Sequence, residues 1–471
     1  RRGESETALA LYLRALAADE ARGARPLVVE DLGNIGNALG SLGRIEEARA
    51  AYRRAIALAE EVGACETLWA AYLGLADTYE MSGELDSARV NNGRAIQILE
   101  SFRGRGLSES TKAEFLDRRA FVYEAQVNVL AQLAARTADT GLAEEAFETA
   151  ERGKARALLD LLAQGAVDLT AGLDSATVAE RDGRERAVNA ARYRLRRAAE
   201  EGVPADSIRV LRERVNEEER RIAALMERIR LHDPRIAALD MGRIRTLAEI
   251  RAVLLADEGS ALLEYALGDS ASYGWLVTAE DLRLFSLPPR GRVEAEVQKL
   301  RAGLLSPRTS GDDQYLEAAC ALHAMAVGPA ARELSNARRL IIVPDGALSF
   351  VPFEALLTAP AASPDPALDP AARDRFFRDL PYAFADRALR YGPSAATLVE
   401  FATLKRDRGA ATMDLLAVGD PLFQPEGEAG SLPTVVRAGA LAQLPHTRTE
   451  VEAIAAEIPA GRCTLLLGRD A

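Results

Sequence analysis

Three glycines stand 40 residues apart, at Gly3, Gly43 and Gly83, and a similar segment follows each. The segments read GESETALALYLRALAA, GRIEEARAAYRRAIAL and GELDSARVNNGRAIQI. Ala8, Ala48 and Ala88 align, as do Ala15, Ala55 and Ala95. Tyr12 and Tyr52 align with Asn92, and upstream Gly36 pairs with Ala76 and Leu39 with Tyr79. No other feature constrains the fold as much, because each repeat must bury its apolar face on a neighbour. The predicted unit is a hairpin of two helices, A and B. Glycine supplies the left-handed turn between them. Small alanines let the helices approach closely, and the aromatic fills the gap to the next pair.

This pattern resembles the tetratricopeptide repeat, whose usual period is about 34 residues. The extra residues add roughly 1.5 turns, and EEARAAYRRAIALAEEVG places them in helix B. A looser fourth unit is expected, with helix A over 111–136. Its helix B follows Gly141 as LAEEAFETAERGKARALLDLLA, with Ala146, Ala150 and Gly153 at the small positions. With Gly3 at a turn, the first unit lacks helix A, which predicts a cut at the N-terminus. The resemblance implies a groove, lined by helices A, that takes a peptide or protein segment. Asn37 and Asp77 are expected to face it, with Ser41 and Met81 one turn on. An ordinary solvated face would suit the same four residues.

Residues 174–235 are rich in Arg, Glu and Ala. ERAVNAARYRLRRAAEEG and SIRVLRERVNEEERRIAALMERIR read as amphipathic helices, separated by Gly202-Val203-Pro204. That predicts an antiparallel hairpin, ended by Asp233-Pro234. Its arginines alternate with glutamates, which reads as an ion-paired surface rather than an RNA-binding face.

After Met241 the periodicity changes. ALLEYALGD, YGWLVTAEDL and RLFSLP read as short strands, followed by helices near 293–304 and 313–327. LIIVPDGALSFVPFEAL begins as a strand buried on both faces and breaks at Pro344-Asp345-Gly346. Phe350, Val351 and Phe353 are then expected to cover the sheet. A proline-rich loop over 359–375, a helix near 395–404 and a strand in DLLAVGDPLF follow. Together AERGKARALLDLLA, LIIVPDGALSFVPFEALL, RYGPSAATL, LLAVGDPLF and LPHTRTEVEAIA resemble the CHAT domain, the caspase-like domain associated with tetratricopeptide repeats.

The resemblance implies a mostly parallel sheet between helices, as in caspases, separase and gingipains, and a cysteine peptidase with a His–Cys dyad. No position of this sequence matches either dyad motif. Both catalytic residues are expected beyond Ala471, after further strands. Cys320 and His323 share a helix face in AACALHAMAV, which suits a packed core better than a dyad. His232 is expected to cap a helix end, and His446 leads another helix. Pro344, Asp345 and Gly346 end a core strand at the edge where α/β proteins build sites, so they are candidates for a cleft wall.

The expected organisation is a helical repeat array over 1–163, a charged hairpin over 164–240 and an α/β caspase-like domain over 241–471. The 471 residues carry a formal net charge of -12, which opposes general nucleic-acid binding. No apolar run approaches the ~20 residues of a membrane helix. Three scattered cysteines, Cys65, Cys320 and Cys463, form no zinc pair and suit a reducing cytoplasm. No cofactor is expected. The expected function is a docked peptidase module that, without the dyad, binds and does not cleave. A non-catalytic interaction scaffold is the alternative.

Overall fold

The structure is a computed structural model. It describes residues 2–62, 65–101, 109–164, 175–200, 203, 205–232, 245–305, 312–365, 367–407, 415–421, 447–459 and 462–468. Its contacts divide into two units, 1–402 and 403–471.

The first unit opens with seven helices: α1 (Arg2–Ala21), α2 (Arg25–Ser41), α3 (Ile45–Val62), α4 (Cys65–Met81), α5 (Leu85–Ser101), α6 (Glu109–Thr137) and α7 (Thr140–Gln164). Helices α2–α3, α4–α5 and α6–α7 are the repeat hairpins. Gly43 and Gly83 occupy the turns with φ of 75° and 74°, where a side chain would be strained. Ala48, Ala55, Ala88 and Ala95 are fully buried. The fourth unit departs from the expected register. Its turn residue is Ala138, with φ of 53°, and Gly141 lies one helical turn later inside α7. Counted from Ala138, the place of Tyr52 falls to Phe147, and Ala143 and Ala150 take the small positions.

Helices α8 (Ser175–Glu200) and α9 (Ala205–His232) form the charged hairpin around Ala191, Leu195 and Val215. Arg221 pairs with Glu217 and Glu218, and Arg228 with Glu180, as an ion-paired surface requires. The expected stop at Asp233-Pro234 lies outside the described residues, as does His446, and nothing is described of the His232 side chain.

A capping box of Thr246 and Glu249 starts α10 (Leu247–Leu254). Strands β1 (Ser260–Ala266), β2 (Ser272–Val277) and β3 (Leu282–Leu287) form an antiparallel meander. Helices α11 (Arg290–Leu305) and α12 (Asp312–Leu322) lead to β4 (Arg339–Val343) and β5 (Ala388–Tyr391), which run parallel to β1. The order is β3-β2-β1-β4-β5, so the sheet is mixed, not mostly parallel. Short turns after β1 and β2 permit only antiparallel pairing, whereas long crossovers precede β4 and β5.

Strand β1 alternates between two cores. Ala261, Leu263 and Tyr265 join α11 and α12 on one face. Leu262 faces the other way, to α6, α7, α10 and α14 (Ala395–Asp407). The last repeat hairpin thus shares a core with the sheet. Trp275 Nε1 donates to Ala143 O at 3.2 Å, and its ring meets Phe147 edge-on at 6.1 Å.

Three local readings are corrected. Phe350 is 62% exposed beneath Arg301, while Val351 and Phe353 cover the sheet as expected. The proline-rich loop ends early, because Asp369 caps and Pro370 starts α13 (Pro370–Arg378). After α12 the chain winds as a π-turn over His323–Val327, and Ala326 O accepts the buried Tyr265 hydroxyl at 3.0 Å.

In the second unit β6 (Leu415–Pro421) and β7 (Cys463–Gly468) pair in parallel, and α15 (Thr447–Ala456) packs on β6, where Val451 leaves no room for a Cβ at Gly419.

Candidate functional site

The helix-A face is built from α2, α4 and α6. Tyr52 threads between α2 and α4, where a Cβ at Gly36 or Gly74 would lie 2.5 or 2.4 Å from its ring. Its hydroxyl donates to Asn37 Oδ1 at 2.7 Å. Burial, and then the Asp77 charge, raise its pKa. Asn37 is exposed, as are Ser41, which donates to Asn37 O at 2.9 Å, and Met81. Asp77 is half-buried, and its carboxyl is pushed up to about 7 by burial and then by the neighbouring Glu80.

Glu80 Oε1 accepts from Asn128 Nδ2 at 2.6 Å and from Gln132 Nε2 at 2.8 Å. Burial raises the Glu80 pKa against the Gln132 hydrogen bond. Tyr273, on β2, donates to Asn128 Oδ1 at 2.6 Å, and burial pushes its phenol up to about 12. Farther along α6, Glu124 meets Arg290 at the start of α11. Of these groups the sequence reading found Asn37 and Asp77. It missed Glu80, Asn128, Gln132 and Tyr273. The i, i+3 and i, i+4 spacings of 77/80 and 124/128/132 were the available signal.

Pro344, Asp345 and Gly346 stand at the carboxyl end of β4. Asp345 Oδ2 accepts from Leu267 N at 2.6 Å, tying the ends of the adjacent parallel strands β1 and β4. Gly346 takes φ of 51° beside Leu267. A cleft of about 470 Å³ lies beyond, lined by Asp312, Tyr315, Glu354, Arg373, Phe377 and Tyr382 among others. Tyr391 donates to Glu354 Oε2 there at 2.7 Å.

The segment AERGKA in α7 carries a buried polar seam. Lys154 Nζ donates at 3.0 Å to Glu264 Oε1 on β1. Glu264 is fully buried, and burial and then the Glu151 charge raise its pKa well above the ordinary range, against Lys154. Glu151, itself 2% exposed, accepts from Ala395 N at 2.9 Å and Ala396 N at 2.6 Å, the first amides of α14. One helical turn therefore grips both the central strand and a helix N-terminus.

Cys320 Sγ donates to Ala359 O at 3.1 Å, and burial raises its thiol. Burial lowers the His323 pKa. Among the described residues no cysteine hydrogen-bonds a histidine, and no group of three His, Cys, Asp or Glu side chains is placed to hold a metal. No helix among them is long and apolar enough to cross a membrane.

Comparison with known families finds two matching models. A tetratricopeptide repeat model matches residues 32–101, which span most of α2 through α5. A CHAT domain model matches residues 316–471, from α12 through β7. A search of the curated proteins finds no match. Repeats of this kind imply protein–protein interaction. The chain is a tetratricopeptide-repeat protein that carries a CHAT domain.

Proposed function

We propose that the chain is the docking part of a caspase-like cysteine peptidase module. Residues 1–163 hold a protein partner, 164–240 act as a linker, and 241–471 present the docked segment to a cleft. Within this proposal, Pro344, Asp345 and Gly346 form one wall of that cleft at the carboxyl end of β4, separate from the cleft of about 470 Å³, which they do not line. One observation carries the reading. Helix α6 lines the helix-A face with Asn128 and Gln132, and packs Val127 and Leu130 into the core beneath the sheet. A partner on that face touches an element of the CHAT core directly. In this reading the chain binds and does not cleave, because the Cys320 thiol hydrogen-bonds a backbone carbonyl and not a base.

Photo-crosslinking residues placed at Ser41, Met81 and Ala57 test this. All three positions are exposed, and Ala57 lies on helix B. One protein partner should crosslink from 41 and 81, not from 57, and should remain intact. Crosslinking that is equal at all three positions, or absent, refutes docking. Fragments of the crosslinked partner refute the binding-only role. An interaction scaffold without chemistry shares the docking step. It is favoured if no partner is cut even when a complete catalytic domain is supplied.

A further inference from the structure

The seam between α7, β1 and α14 holds the carboxylates of Glu151 and Glu264 and the amine of Lys154. Glu264 is fully buried, on the same face of β1 as Leu262. Glu151 is 2% exposed, and Lys154 is largely covered. With all of them ionised the cluster carries an uncompensated negative charge out of water, which burial strongly opposes. A single bound proton makes it neutral.

Geometry decides which carboxyl takes that proton. Glu151 uses both oxygens on the first amides of α14, Ala395 N at 2.9 Å and Ala396 N at 2.6 Å. It faces the positive end of that helix, which keeps it charged. Glu264 Oε1 accepts from Lys154 Nζ at 3.0 Å, but Oε2 is buried without a hydrogen-bond donor among the described residues. Such an orphan is rare. The group within hydrogen-bonding reach is Glu151, itself an acceptor. A proton on Oε2 turns the orphan into a donor to Glu151. Among the described residues no further titratable group faces Glu264. Trp275 and Val343 flank it across the sheet, and the Ser394 and Thr397 hydroxyls bond each other at the start of α14.

We propose that Glu151, Glu264 and Lys154 form a proton-operated latch that ties the last repeat hairpin and the central strand to α14. With the proton bound, Lys154 donates to Glu264, Glu264 to Glu151, and the α14 amides to Glu151, so every member is satisfied. As pH rises the Oε2 proton leaves to solvent. Two carboxylates then face each other, and their repulsion drives Glu151 off the α14 amides. Burial, and then the Glu151 charge, hold the Glu264 carboxyl well above the ordinary range against Lys154. The raised pKa sets the sign: the latch is closed at low pH and loosens as pH rises through the folded value.

Hydrogen exchange on the full chain at about pH 5.5 and about pH 8.5, corrected for intrinsic exchange rates, tests the latch. Protection of the Ala395 and Ala396 amides should fall at least about tenfold at the higher pH, since each unit between folded and unfolded pKa is worth tenfold. Glu264→Gln places a permanent donor beside Glu151 and should hold its protection to within about twofold over the same range. Infrared difference spectra, wild type minus Glu264→Gln, should show a protonated-carboxyl band at the lower pH that fades at the higher. Glu151→Gln offers an amide donor to Oε2 and removes the opposing charge, so the pH dependence should vanish there too, which decides the matter should Glu264→Gln not fold. Wild-type protection that does not change with pH refutes the latch. So does a pH dependence that survives in either variant, or the absence of the protonated-carboxyl band.

Discussion

Replacing Lys154 with methionine should loosen the sheet from the repeat array, and more so at high pH. The Lys154 amine sits 3.0 Å from Glu264 Oε1, with its side chain 11% exposed and Glu264 fully buried. At an effective dielectric of about 20, Coulomb attraction at that distance is roughly 5 kcal/mol. Removing one partner of a buried pair costs about 3–5 kcal/mol, because the other charge is left stranded. Glu264 has an escape, which is to take up a proton. Burial and Glu151 already raise its pKa, and without Lys154 the rise is larger. A carboxyl whose folded pKa exceeds its unfolded value of about 4.3 stabilises below that value. The contribution is lost as pH rises through the folded pKa. The variant should therefore be destabilised by about 1 kcal/mol near pH 5.5, where a protonated Glu264 needs no counter-ion, and by about 3 kcal/mol near pH 8.5.

Hydrogen exchange of the β1 amides across that pH range reads the effect at its source. Lys154→Met/Glu264→Met should recover most of the loss and flatten the pH dependence, since an apolar pair of similar volume replaces a buried ion pair at little cost. A Lys154→Met variant that is neutral at pH 8.5, or equally destabilised at both pH values, would refute the reasoning. So would a double variant worse than the single one.

Three further outcomes are expected. Glu151→Ala leaves the amides of Ala395 and Ala396 without acceptors in a buried site, so α14 exchange should rise near its N-terminus, at a cost of about 1–3 kcal/mol. Ala88→Leu overpacks a fully buried contact among Leu85, Val129 and Leu133 and should cost about 1–3 kcal/mol. Its exchange effect should stay within α4–α6 and spare β4, while Ala57→Leu, on an exposed site, should change stability by under about 0.5 kcal/mol. Cys320→Ala should leave any hydrolysis of a fluorogenic peptide panel unchanged, because its protonated thiol serves Ala359 O; turnover that disappears with the substitution would overturn that assignment.

The repeat was legible because its physics is local. A glycine with positive φ, alanines at the close contact and an aromatic spacer recur at fixed offsets, and Gly43, Gly83, Ala48 and Ala88 sit where those offsets place them. The fourth unit misled because Ala138 takes the left-handed turn that glycine usually fills. The strands were legible as short apolar runs, yet their directions were not, since direction depends on the connections. Asn37 and Asp77 could be placed on one face by period alone. Their neighbours Asn128, Gln132 and Tyr273 could not, because they come from 48 to 145 residues away in the hydrogen bonds they make.

The segment AERGKA shows why a quoted motif and an understood one differ. In sequence it is a helix with two charges on a face that otherwise runs apolar. Read alone, Glu151 and Lys154 at i, i+3 are an ordinary surface pair. In the structure they do not pair with each other. Each turns inward to a different element, Lys154 to the central strand and Glu151 to the α14 amides. Two charges buried in one helical turn are a costly way to join a helix to a sheet when leucines would do. What they provide that leucines cannot is register, because a one-turn slip of α7 would strand Glu264, Ala395 and Ala396 together. That fixes the last repeat, and with it Asn128 and Gln132 on the neighbouring α6, to the sheet. The helix-A face and the sheet are thereby joined through one polar seam, which is the route by which the docking proposed above would bear on the CHAT core.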